Sequence, residues 1–118
     1  MPPPIHRGDL HWLLLPREGA RPVAHPHVVV QDDVFNHSRV ETVLVCALST
    51  NPKRAHEPGN VVLDPGEGGL DRPSIVVVSQ ISSIPKTALG APFGRLTAQR
   101  VDQIVAGLRF LQASGFTR

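Results

Sequence analysis

Apolar residues along this chain fall in short runs separated by stretches rich in proline and glycine. Gly8 to Leu15 (GDLHWLLL) is the first run, closed by Pro16. His27 to Gln31 (HVVVQ), Thr42 to Leu48 (TVLVCAL) and the shorter Asn60 to Leu63 follow. Their β-branched residues suit a pleated, half-buried surface, so each predicts a strand. Ser74 to Ile84 (SIVVVSQISSI) is long enough for one bent strand, or for two strands meeting at a corner. Between the first two runs, PREGARPVAHP holds three prolines and a glycine, which predicts an irregular, exposed loop. STNPKRAHEPG predicts a second long loop, and DDVFNHSR and DPGEGGLDRP supply turn formers.

Helical period occurs near the C-terminus. Val101, Ile104, Val105, Leu108 and Leu111 recur at spacings of three and four, one face of an amphipathic helix. Thr97 stands where an N-cap belongs, Leu96 and Val101 are placed as a hydrophobic staple, and Gly115 sits at the C′ position. Five to seven short strands and one terminal helix predict a mainly β protein, closed as a small barrel or half-open sheet with the helix packed on it.

Length and composition narrow the class. At 118 residues the chain holds one domain, 1–118, with residues 1–6 expected as a disordered tail. Apolar residues make up 41% and charged residues 19%, which excludes wholesale disorder. No apolar run approaches the roughly 18 residues of a spanning helix, and Met1-Pro2-Pro3-Pro4 lacks the apolar stretch of a signal peptide, so a cytoplasmic location is expected. The single Cys46 lies in an apolar run and reads as a small buried hydrophobe. The formal charge is only +2, yet ten of the twelve basic residues are arginines, and guanidinium is the planar fork suited to phosphate. All six histidines, at 6, 11, 25, 27, 37 and 56, lie in the first half.

From Arg7 to about Gln112 the chain resembles the MazF/PemK family of toxin endoribonucleases. Arg7-Gly8-Asp9-Leu10-His11-Trp12 looks like the family's opening RGD-x-x-W. Pro26 to Asn36 (PHVVVQDDVFN) resembles its second strand and turn, and Val43 to Asn51 (VLVCALSTN) its third strand, ending in hydroxyl residues. Pro58 to Leu63, Ser74 to Ile81 and Gly94-Arg95-Leu96 complete the match in order. The resemblance implies a Src-homology-3-like β-barrel with a C-terminal helix, of the MazF/CcdB type. It also implies a homodimer, sequence-specific cleavage of single-stranded mRNA with no metal or other cofactor, and an antitoxin protein that covers the RNA groove.

Cleavage of that kind uses the neighbouring 2′-hydroxyl as nucleophile, so the protein must move protons and stabilise charge on phosphorus. In the family the central pair is an Arg before the Pro of the second strand and a Thr or Ser ending the third. Ser49 matches the hydroxyl and Thr50 follows it; His25 stands in the arginine's place, in Ala24-His25-Pro26. Imidazole is a better proton shuttle at neutral pH than guanidinium, and Arg21 is expected to restore the permanent charge. The catalytic set is therefore His25, Ser49 and Arg21. Gly19-Ala20-Arg21 replaces a common Gly-Ser-Glu, which should change the sequence that is cut. Arg17, Gly19, Arg21, His27, Gln31, Thr50 and Gln80 are the expected RNA-binding residues. Trp12 follows a period that faces the core, with base stacking as its other use. No metal site is expected, since His25 and His27 lack further ligands at a recognisable spacing.

Two other functions share these features. One is a catalytically silent RNA-binding or regulatory module. The other is a gyrase-poisoning toxin like CcdB, which depends on a terminal Trp-Gly-Ile where this chain reads Ser114-Gly115-Phe116-Thr117-Arg118.

Overall fold

The computed structural model describes residues 3–17 and 19–115, without the side chains of residues 15–17 and 20. Six strands, β1 (Asp9–Arg17), β2 (Ala20–Val29), β3 (Thr42–Ser49), β4 (Val61–Leu63), β5 (Ser74–Pro85) and β6 (Gly94–Arg95), form one curled antiparallel sheet. Its order is β4-β5-β3-β2-β1-β6. A one-turn helix, α1 (Asp33–Asn36), links β2 to β3, and α2 (Ala98–Gly115) follows the last strand. The barrel-like, mainly β architecture expected from the pattern is therefore present. None of the described helices is long and apolar enough to cross a membrane.

Alternation along the strands splits the apolar residues between two faces. Leu10, Val28, Val30, Cys46, Leu48 and Val76 point one way and meet Leu96 and Ile104 from the helical end, with Val101 and Leu108 packed alongside. Leu13, Val29, Val43 and Val45 point the other way and are covered by Leu89, with Ile5 and Ile84 against them. Of the expected tail, then, Ile5 lies against the second core. Cys46 is fully buried, and desolvation pushes its thiol up to about 12, so it behaves as an apolar side chain.

The expected loop over residues 16–26 is instead the arm of a hairpin. Arg17 pairs with Ala20 and Gly19 takes φ +69°, a conformation that glycine adopts without a Cβ penalty. The prolines fit because of where they fall. Pro16 sits at the register shift between Leu15 and Arg17, and β2 pairs with β3 only through His27, Val28 and Val29. Pro22 and Pro26 therefore lie where β2 has a partner on one side alone, the edge setting that proline tolerates.

The bent strand expected at Ser74–Ile84 is β5. Cys46 pairs with Ile81 but Leu48 with Val76, so β5 spends five residues where β3 spends two, and residues between Val76 and Ile81 form the corner. The helix matches its signals: Thr97 Oγ1 accepts from the Arg100 N–H at 3.3 Å, Leu96 is buried beside Val101, and Gly115 is the last helical residue rather than the one beyond it.

Candidate functional site

Because β2 leaves β3 before His27 while β3 continues to Ser49, a cleft opens between the two strands. Its volume is about 370 Å³, and His25 and Pro26 line one wall against Ala47, Leu48, Ser49 and Thr50 on the other. Arg54, Ser74 and Gln80 complete it. The strand pairing that ends at His27 thus brings His25 and Ser49 to one space.

Local sequence positions each side chain. His25 precedes Pro26, which holds it extended, and its carbonyl lies 2.9 Å from His27 Nδ1. His25 itself is half-buried, so its imidazole is open to the cleft. Ser49 Oγ accepts the Asn51 N–H at 3.1 Å, which turns the chain after β3. Asn51 then caps a short 3-10 helix over Pro52–His56 by accepting the Lys53 N–H at 3.1 Å. That turn carries Arg54 back towards the strand end, where Nε donates to Glu57 Oε1 at 3.1 Å. Gln80 is exposed at the β5 corner. Ser74 is committed to its own strand start, donating to the Arg72 carbonyl at 3.1 Å.

The expected site residues divide accordingly. His25, Ser49, Thr50 and Gln80 meet in the cleft. Arg21 and Gly19 lie on the hairpin arm, exposed and outside the cleft lining, and the Arg17 side chain falls outside the described residues. His27, expected against RNA, is 3% exposed. Its ring points inward and steadies the His25 backbone; burial lowers its pKa, the bond to the His25 carbonyl opposes this, and the charge of His25 adds to it. Gln31 is used structurally: its Nε2 donates to Asn36 Oδ1 at 3.0 Å and to the Thr42 carbonyl at 3.1 Å, bracing the α1 turn. Trp12, expected towards the core, is 56% exposed and stacks on Phe93 with ring centroids 5.0 Å apart.

Arg54 is the cleft residue that the sequence reading overlooked. The signal was present: Asn51-Pro52 is a capped turn opening two residues after Ser49, and a turn of that length folds its third residue back. Among the described residues, the one grouping of three His, Cys, Asp or Glu donors lies elsewhere, at His6, Asp33 and His37.

Chemically, the cleft holds an imidazole able to give or take a proton, the hydroxyls of Ser49 and Thr50 beside the committed Ser74, an amide and a guanidinium. That set suits an anionic, hydrogen-bonding polymer.

Comparison with known proteins agrees. Residues 6–111 match the family model for the PemK-like, MazF-like toxin of type II toxin–antitoxin systems. Endoribonuclease MazF6 of Mycobacterium tuberculosis is 35% identical over 107 residues, covering 89% of this chain and 94% of its own. Among solved structures, a mycobacterial endoribonuclease in complex with its cognate antitoxin superposes with a TM-score of 0.71 at 22% identity, over 97% of this chain and 98% of that one. MazE–MazF of Deinococcus radiodurans gives 0.75 at 16% identity, over 94% and 97%.

Proposed function

The chain belongs to the PemK-like, MazF-like toxin family and is an endoribonuclease of that toxin–antitoxin type; from that premise we propose that it cuts single-stranded mRNA sequence-specifically, without a metal ion, in the cleft between β2 and β3. The ribose 2′-oxygen attacks the adjacent phosphorus and the bond from phosphorus to the 5′-oxygen breaks, leaving a 2′,3′-cyclic phosphate and a 5′-hydroxyl. The 2′-hydroxyl gives up its proton and the departing oxygen gains one, and His25 is the group that moves protons at the reacting phosphate. Ser49 donates a hydrogen bond to a phosphate oxygen as charge builds there. Arg54, rather than Arg21, supplies the permanent positive charge. Thr50 and Gln80 meet the bases on either side.

The observation that carries this reading is the convergence of His25 and Ser49 on one solvent-open cleft. The sequence puts an imidazole where relatives of this pattern carry a guanidinium, and the catalytic role requires that ring to reach the strand-end hydroxyl's space. A structural relative in complex with its cognate antitoxin supports a protein partner for this chain; in this reading the partner covers the same cleft and the toxin acts as a homodimer.

The test is cleavage of a long single-stranded RNA in EDTA, with the 5′ ends mapped. Discrete cuts, lost in His25→Ala and strongly reduced in Ser49→Ala, are expected. Cutting that survives His25→Ala would remove His25 from the chemistry, and RNA binding with no cutting at all would establish the silent module instead.

A further inference from the structure

Away from the cleft, where the N-terminal segment meets α1, His6, Asp33 and His37 each bring a ligand atom to within 4.8 Å of the other two. We propose that this trio binds one divalent transition-metal ion of the zinc class and thereby clamps the N-terminal segment to the connection between β2 and β3. Two imidazoles and a carboxylate suit Zn²⁺ and its first-row neighbours, whereas Mg²⁺ and Ca²⁺ call for oxygen donors.

Bonds from outside the trio orient two of its members. Asp33 Oδ1 accepts the Arg7 N–H at 2.7 Å and Asn36 Nδ2 at 3.0 Å. Its other oxygen, Oδ2, faces His6 Nδ1 at 4.0 Å. His37 Nε2 lies 2.9 Å from the Ile5 carbonyl. A carbonyl only accepts, so Nε2 carries the proton and Nδ1 keeps the lone pair that a metal requires. Outer bonds of this kind, a carbonyl on the far nitrogen of a histidine and donors on the far oxygen of a carboxylate, fix first ligands in metal centres. Burial alone would raise the Asp33 pKa; the Asn36 amide, the Arg7 N–H and the two imidazoles outweigh it and hold the carboxyl below its usual value.

The distances close with little movement. Ligand bonds of about 2.0–2.1 Å in a tetrahedral site place donors roughly 3.4 Å apart. The His6 and His37 rings meet edge to face, 5.0 Å between centroids, and neither residue is buried, so small rotations bring their nitrogens in. Water fills the remaining positions, since His37 is exposed. The Arg7 guanidinium, 3.7 Å from Asp32, keeps positive charge nearby and limits the affinity.

Metal-free full-length protein titrated with Zn²⁺ in a calorimeter tests the site, with Co²⁺ absorption reporting the ligand field. One ion per chain and a higher thermal midpoint are expected. Binding should weaken about tenfold or more in His6→Ala, in His37→Ala and in Asp33→Asn. The last variant keeps the oxygen that accepts from Arg7, and its circular dichroism should match the parent. Binding should persist in His25→Ala. Absence of saturable Zn²⁺ binding in the micromolar range overturns the site, as does undiminished affinity in the His6→Ala/His37→Ala double variant. Loss of binding in His25→Ala would also overturn it. RNA cleavage in EDTA is read separately, so either proposal can fail without the other.

Discussion

His11 on β1 and His27 on β2 stand directly opposite one another, each 3% exposed, and neither ring nitrogen of His11 has a hydrogen-bond partner among the described residues. Burial lowers the pKa of both, partly offset at His11 by the Asp9 carboxylate and at His27 by the bond to the His25 carbonyl.

The pair should make the fold sensitive to acid. The unfolded histidines protonate near 6.5 and the folded ones only below that. As pH falls from 6.5 the unfolded chain therefore takes up protons first, and stability declines until the folded-state values are passed. His11→Leu removes an unsatisfied buried group, so the unfolding free energy from denaturant titration should rise by about 1–3 kcal/mol, most at low pH. A variant curve parallel to the parent's between pH 5 and 7 would contradict this.

Asp9, fully buried, accepts from Arg95 Nε at 2.8 Å and from the His6 N–H at 2.9 Å. These bonds tie the start of β1 to β6 and give the Arg-Gly-Asp run a structural use: Arg7 Nε holds the Val30 carbonyl at 2.8 Å, and Gly8 has φ +95°. Asp9→Ala should cost roughly 1–3 kcal/mol, because it removes two hydrogen bonds to a buried carboxylate and leaves the His6 N–H unpaired, while Arg95, 58% exposed, stays solvated. A fall in thermal midpoint of several degrees checks it.

Gly107 on α2 lies against Gly59, and a Cβ at either position would meet the other's backbone. This approach seats the helix on the β4 end of the sheet. Gly107→Ala should destabilise by about 1–3 kcal/mol, although alanine is the better helix former. Equilibrium unfolding of the variant decides between these opposing effects.

Arg54→Ala should lower kcat/KM for RNA by roughly ten- to 150-fold, a loss of about 1.5–3 kcal/mol in transition-state stabilisation, the range for a hydrogen bond to a charged group, and flatten the salt dependence. Arg21→Ala should do less. The reverse ranking, measured on one RNA substrate, would return the anchoring charge to the hairpin arm.

Much of this was legible in the chain. Short apolar, β-branched runs marked β3 and β5, the period of Val101, Ile104 and Leu108 marked α2, and ordered motifs from Arg7 to Leu96 marked the family. The hairpin arm was not legible, because proline signals a break unless one knows which strand edge lacks a partner. Local order could not separate His25 from His27 either: they share a face, but β3 begins to pair at His27, so one ring is sealed and the other opens on the cleft. Gln31 left its expected place against RNA and Arg54 entered the cleft for the same kind of reason, through turns at Asn36 and Asn51 whose direction depends on what they pack against.

Side-chain periodicity and turn chemistry are local properties, and they determined which segments became strands and helix and which residues carried usable chemistry. Where the pairing of β2 with β3 stops, and hence which imidazole, hydroxyl and guanidinium share one space, was decided only by the tertiary structure. That limit depends on the curl of the whole sheet and the helix packed on it, and no window of neighbouring residues contains either.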